Sequence, residues 1–121
     1  MSSNVAKASV LVEDLRARGF LVFSLPSGIV DKSSFFDAIR SCLPLDPPVV
    51  SNRSWDALSD SLWEGLSELA ENRIAIVWPT EEVAAAEDMK IAMGVLDQVA
   101  RLLADPVATV GKPKELVVVR I

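Results

Sequence analysis

A chain of 121 residues, half of them hydrophobic, is sized for one domain that buries a modest core without staples, which argues against disorder. Seventeen acidic residues against twelve basic ones leave a net charge of −5, which disfavours direct binding to RNA or DNA and favours a basic protein partner. With no histidine and no tyrosine, the chain lacks histidine-based nucleophile systems and imidazole metal sites. It also has no GxxxxGKS/T, GxGxxG or CxxC motif.

Residues 5–18 carry Val5, Ala8, Val12 and Leu15 at helical spacing, and Gly19 is placed to stop that helix. FLVFSL, residues 20–25, is a short apolar run ahead of Pro26 and reads as a buried strand. Asp31 or Ser33 can cap a helix whose apolar face holds Phe35, Phe36, Ile39 and Leu43, ending near Pro44. Cys42, the only cysteine, sits among those residues and reads as a small core side chain in a reducing compartment. PLDPPVVSNR, residues 44–53, has three prolines and no period, which makes a stiff loop.

Ser54 can cap the next helix, expected over residues 54–71 and closed by Asn72. IAIVW, residues 74–78, reads as a second strand. Thr80 can cap a long helix with Glu81 and Glu82 in its first turn and Val83, Met89, Ala92, Met93, Leu96, Val99 and Leu103 on its apolar side. Gly94 within it suggests close packing, and Pro106 bounds it. ELVVVRI, residues 115–121, reads as the last strand. Alternating helices and uniformly apolar strands predict an α/β fold, a parallel sheet buried on both faces. The N-terminal segment does not look like a signal peptide, and no apolar run is long enough for a membrane span, so a cytoplasmic location is expected.

The helix after Ser54 holds the unusual feature. With Asp56 at zero on a helical wheel, Asp60 falls at about 40°, Glu64 at about 80°, Glu68 at about 120° and Glu71 at about 60°. Trp55, Leu58, Leu62, Leu66 and Leu69 gather opposite, at about 240°. No Lys or Arg is interspersed, so like charges face each other at i, i+4 and cost a few tenths of a kcal/mol per pair. Asp56 and Asp60 recover part of that near the positive end of the helix. A solvated face and a docking face for a cationic partner both fit this wheel. Trp63, at about 340°, lies beside Asp56 and away from the leucine stripe. It fits either an interface anchor or a boundary residue.

WDALSD (55–60), followed by its helix and then by IAIVW (74–78), resembles the barstar family of small intracellular inhibitors of secreted microbial ribonucleases. The family's D-A-L-x-D segment opens its acidic helix, and the order of elements over residues 20–121 is similar. The resemblance implies a three-stranded parallel sheet in the order 1-2-3 with packed helices, and an N-terminal helical extension over residues 1–19. It implies that Asp56 and Asp60 enter a nuclease active site and stand in for RNA phosphates; on this reading of the helix and loop, Trp63 and Glu64 extend the patch and Asn52 and Ser54 can add hydrogen bonds. This chain differs from the family pattern in having no aromatic residue in VVSNRS (49–54), Ser59 where the family has a tryptophan, and Arg53 beside the acids; Asp97 is the nearest counterpart of a later family glutamate.

The expected function is therefore inhibition of a basic ribonuclease or toxin, without enzymatic activity, cofactor or metal. The other readings are a non-inhibitory interaction module that self-associates through its N-terminal extension, and an enzyme or metal site built on the paired carboxylates.

Overall fold

The computed structural model of the chain describes residues 3–79 and 87–121, with side chains from Ala8 onward. The expected cap at Thr80, the glutamates at 81 and 82, and Val83 lie outside the described residues. The elements are α1 (Ser3–Ala17), β1 (Leu21–Ser24), α2 (Lys32–Cys42), α3 (Trp55–Ser67), β2 (Arg73–Trp78), α4 (Glu87–Ala104) and β3 (Glu115–Arg120).

Gly19 ends α1 as its position suggested. At φ 89° it turns the chain left-handed, its N–H donates to Arg16 O, and Phe20 N–H donates to Leu15 O. This paired pattern satisfies the last carbonyls of the helix and brings Leu15 against Phe20. α2 starts at Asp31, whose side chain accepts from Ser34 N while Ser34 Oγ accepts from Asp31 N, a reciprocal cap. The hydrogen bond from Ser34 N–H, and then that from its hydroxyl, hold the Asp31 carboxyl below the usual aspartate range.

The three strands form one parallel sheet in the order β1-β2-β3. Leu21 pairs with Ile74, and Arg73 pairs with Glu115. Alternation along the central strand divides the core. Ile74, Ile76 and Trp78 face the main core with Phe35, Phe36, Leu58, Leu62, Leu66, Met89 and Leu96. Ala75 and Val77 face α1 through Leu15 and Phe20. β2 is thus buried on both sides, as its unbroken apolar run predicted, while Val22, Val117 and Val119 on the α1 side are only half-buried. Cys42 is a free thiol, half-buried against the main core.

Two local expectations need correcting. α3 stops at Ser67, so Glu71 is not on the helix, and Asn72 does not close it. The chain turns at Glu68, and Leu69 N–H donates to Leu66 O. The buried Lys114 reaches back from just before β3, and its Nζ donates to Leu69 O (2.6 Å) and Glu71 O (2.7 Å). Asn72 O accepts from Glu115 N and so belongs to the start of the β2–β3 ladder. Gly94, in turn, marks no close approach, because it is exposed and a Cβ there meets nothing within 4 Å. Gly94→Ala is therefore expected to raise stability by about 0.5–1 kcal/mol through helix propensity alone, read as an increase in the urea midpoint.

Candidate functional site

α3 and the proline loop before it are assembled by cations that come from α2. Arg40 Nε donates to Val49 O (2.7 Å), one of its terminal nitrogens donates to Asn52 Oδ1, and the other pairs with Asp37 at 2.9 Å. Lys32 Nζ donates to Arg53 O (2.6 Å) and lies 5.5 Å from the Trp55 ring centroid. Trp55 packs edge-on against Phe36 at 5.2 Å, so the start of α3 is fixed by an aromatic cluster as well as by its cap. Val49 of the loop is buried, and Asp46 N–H donates to Ser61 O (3.0 Å) on α3. Gly65 permits the closest approach of all, since a Cβ on it would stand 2.2 Å from Pro44 O.

The six residues singled out in the sequence do not all occupy the same kind of place. Asp56, Asp60 and Glu64 are exposed on consecutive turns of α3. The ion pairs among the described residues are Arg18–Asp14, Arg40–Asp37 and Arg73–Glu115, and none involves these three acids. Arg53, the cation nearest in sequence, is exposed and takes part in none of these ion pairs, Lys32 donates to the Arg53 carbonyl, and Arg40 divides its donors among Val49 O, Asn52 Oδ1 and Asp37. Ser54 is the helix cap, its Oγ accepting from Ala57 N at 3.0 Å. Asn52 has its carbonyl oxygen on Arg40, which leaves its amide N–H groups to donate outward. Trp63 is half-buried against the core, with its indole Nε1 shielded and without an acceptor. It lines a groove of about 380 Å³ together with Asp60, Glu64, Leu102 and Ala108.

Sequence reasoning missed Lys32 and Arg40 as the supports of the loop, and Leu102 and Ala108 as the far wall of the groove. A basic residue three positions after Asp37 on a helix was the only local signal for Arg40, and it points to the Asp37 pair rather than to the loop. Asp97, the residue nearest to the place of the later family glutamate, is exposed on α4. Among the described residues no cluster of three or more His, Cys, Asp or Glu side chains could hold a metal ion, and no helix is long and apolar enough to cross a membrane.

The acidic face has an internal cost at its far end. The carboxyl of Glu68 is hydrogen-bonded to that of Asp46, is partly desolvated, and feels the charges of Asp46 and Glu64, so it titrates above the usual glutamate range. A folded-state value raised in this way adds stability that is complete below the unfolded-state value and is lost as pH rises through the folded one. Glu68→Gln is accordingly expected to be more stable than the parent at pH 7, with the advantage shrinking on acidification to about pH 4. Urea midpoints at the two pH values measure it, and a pH-independent difference would count against the pairing.

A three-stranded parallel sheet in sequential order, an acidic helix entered from a proline loop, and a strand ending in a buried tryptophan are now in place, and the family profile described as Barstar (barnase inhibitor) matches residues 21–116. The chain belongs to the barstar family. The match begins at β1 and leaves α1 outside it. No curated protein and no solved structure gives a significant match. Barstar-family proteins are inhibitors rather than enzymes, and their partner is a ribonuclease, a basic protein. The fold is thus the barstar-like α/β arrangement that WDALSD and the strand–tryptophan pattern implied.

Proposed function

We propose that this protein is a stoichiometric inhibitor of a basic ribonuclease, acting inside the cell that makes it. α3 enters the nuclease active site, and Asp56 and Asp60 take the places of RNA phosphates. The observation that carries this reading is the column of Asp56, Asp60 and Glu64, exposed and unpaired with any cation among the described residues. A ribonuclease holds basic groups ready for phosphate, and carboxylates presented on a rigid helix satisfy them while excluding substrate. Ser54 and Asn52 contribute the remaining donors of their side chains from the loop, and Trp63 supplies apolar contact beside the acids. The test is a fluorogenic RNA-cleavage assay with barnase-type ribonucleases titrated by the protein, at low and high salt. Equimolar inhibition that weakens with salt and disappears in the Asp56→Ala/Asp60→Ala double variant supports the reading; inhibition by the double variant equal to that of the parent rejects it.

A second reading concerns residues 1–19, which we propose are an extension added to a barstar-like unit of residues 20–121. Val10 on α1 is 67% exposed, and the sheet face beneath the helix is only half-covered at Val117 and Val119. Such a surface suits pairing between copies, in which case the acidic face chiefly serves solubility. Sedimentation of the parent and of Val10→Lys tests it: a dimer that Val10→Lys dissociates supports the reading, and a monomer at all concentrations rejects it.

A further inference from the structure

The loop and the helix of the site differ in hydrogen-bonding character. α3 presents acceptors, the exposed carboxylates of Asp56, Asp60 and Glu64. Residues 52 and 53 present donors. The side chain of Asn52 is held by Arg40, and because a guanidinium carries only donors, the atom facing it is the amide oxygen, so the NH2 group is the part left for another partner. Arg53 is exposed and belongs to none of the ion pairs among the described residues, although Asp56 is only three positions on. Its backbone is fixed from both sides, since its N–H donates to Ser51 Oγ (3.2 Å) and its carbonyl accepts from Lys32 Nζ (2.6 Å). Arg53 also stands just before the Ser54 cap, at the positive end of α3, where a cation costs helix stability rather than adding to it. A rooted cation beside an oriented amide, next to three acids, gives one surface two signs.

We propose that Asn52 and Arg53 form a specificity element that takes a carboxylate of the partner, beside the basic groups that meet α3. The inference rests on the reading of the partner as a basic ribonuclease and adds to it an acidic residue at a defined place. The carboxylate accepts from the Arg53 guanidinium and from the Asn52 amide, and both hydrogen bonds are charge-assisted. Arg40 acts as a positioning residue, because it sets which end of the amide is free to donate. Selection works by repulsion as well as attraction: a basic protein with no acid at this place sets its own cations against Arg53. RNA is a poor occupant of the donor pair, since its neighbouring phosphates would meet Asp56 and Asp60. A second copy of this chain is a poor one too, since it brings a net charge of −5 to the acids of α3.

Asn52→Asp and Arg53→Glu test this through the sign of their effect, because each makes the site more negative. Asn52→Asp is isosteric and keeps an oxygen on Arg40, so the loop holds while the free donor becomes an acceptor. Against a partner that meets this surface with cations alone, both changes tighten binding. A partner carboxylate reverses the sign: each variant is expected to bind a ribonuclease that the parent inhibits about tenfold more weakly, chiefly through faster dissociation, with an unchanged melting temperature. Unchanged or tighter binding by either variant overturns the proposal and leaves the inhibitor reading standing, which the Asp56→Ala/Asp60→Ala variant tests separately. If no ribonuclease binds the parent, the inhibitor reading fails, and nitrogen-15 spectra of the full chain decide the surface. The blocked peptide Lys-Gly-Glu is then expected to move the Asn52 amide and Arg53 Nε–H resonances about threefold more than Lys-Gly-Gln at equal concentration and ionic strength. Equal shifts, or none, overturn the proposal, as does a dimer in sedimentation that Arg53→Glu dissociates, which would give the surface to a second copy.

Discussion

Asp60→Ala is expected to weaken binding to the proposed ribonuclease partner by about 2–5 kcal/mol, the general cost of truncating one member of a buried, hydrogen-bonded charge pair. At the lower end this is roughly a thirtyfold loss of affinity, and at the upper end several thousandfold. Most of it should appear as faster dissociation, because truncation leaves the partner's buried cation without its counter-charge. The same change should not harm the fold. Asp60 is exposed, accepts no hydrogen bond among the described residues, and has like-charged neighbours one turn away at Asp56 and Glu64. Removing it relieves two i, i+4 repulsions, a gain of a few tenths of a kcal/mol that the lost interaction with the helix dipole partly offsets. Affinity and stability should therefore move in opposite directions, which a packing role for Asp60 would not produce. Surface plasmon resonance and thermal melts on the same preparation give both readings, and a parallel loss of stability and binding would contradict the account.

Gly65→Ala carries the largest expected effect on stability. The added Cβ would stand 2.2 Å from Pro44 O and 2.6 Å from Pro44 C, both backbone atoms that no rotamer change can move aside. The loop would have to lift off α3, straining the hydrogen bond from Asp46 N–H to Ser61 O close by. Overpacking of this kind costs about 1–3 kcal/mol, sometimes more, and the gain in helix propensity from glycine to alanine returns only about 1 kcal/mol. A 2.2 Å approach to backbone puts the cost at the upper end of that range, so a net loss of about 2 kcal/mol is expected, read from urea denaturation. Gly94→Ala is the internal control, because the identical substitution on α4, in open space, should act with the opposite sign. Two stabilising outcomes would show that the loop does not rest on α3 as described. Because the loop precedes the acidic face, Gly65→Ala should also weaken ribonuclease binding even though it removes no charge.

Some of this was legible in the sequence because it is local and periodic. Leu58, Leu62 and Leu66 recur at helical spacing and are fully buried, while Asp56, Asp60 and Glu64 recur at the same spacing and are exposed, so the wheel alone separated core from surface. The unbroken apolar run at residues 74–78 announced a central strand, and Gly19 announced a helix end. What could not be read is tertiary. The segment that follows α3 is held at Leu69 and Glu71 by Lys114, more than forty positions away, and Asn72 gave a misleading cap. Arg40 and Lys32 look like ordinary surface cations until the loop folds over them. Leu102 and Ala108 belong to the groove only because α4 packs against α3, a fact that no spacing within either segment encodes. Gly94 shows the converse error, in which a residue type with two meanings was assigned the wrong one.

The reach of Lys114 to the carbonyls of Leu69 and Glu71 ties the segment that leaves α3 to the arrival of the final strand. During synthesis, α3 emerges from the ribosome long before the lysine that pins the segment after it, and pairing of β3 with β2 closes a contact of high sequence separation. A nascent chain would thus carry the charged residues before the sheet behind them is complete, and the proposed capture of a nuclease would become possible late and all at once.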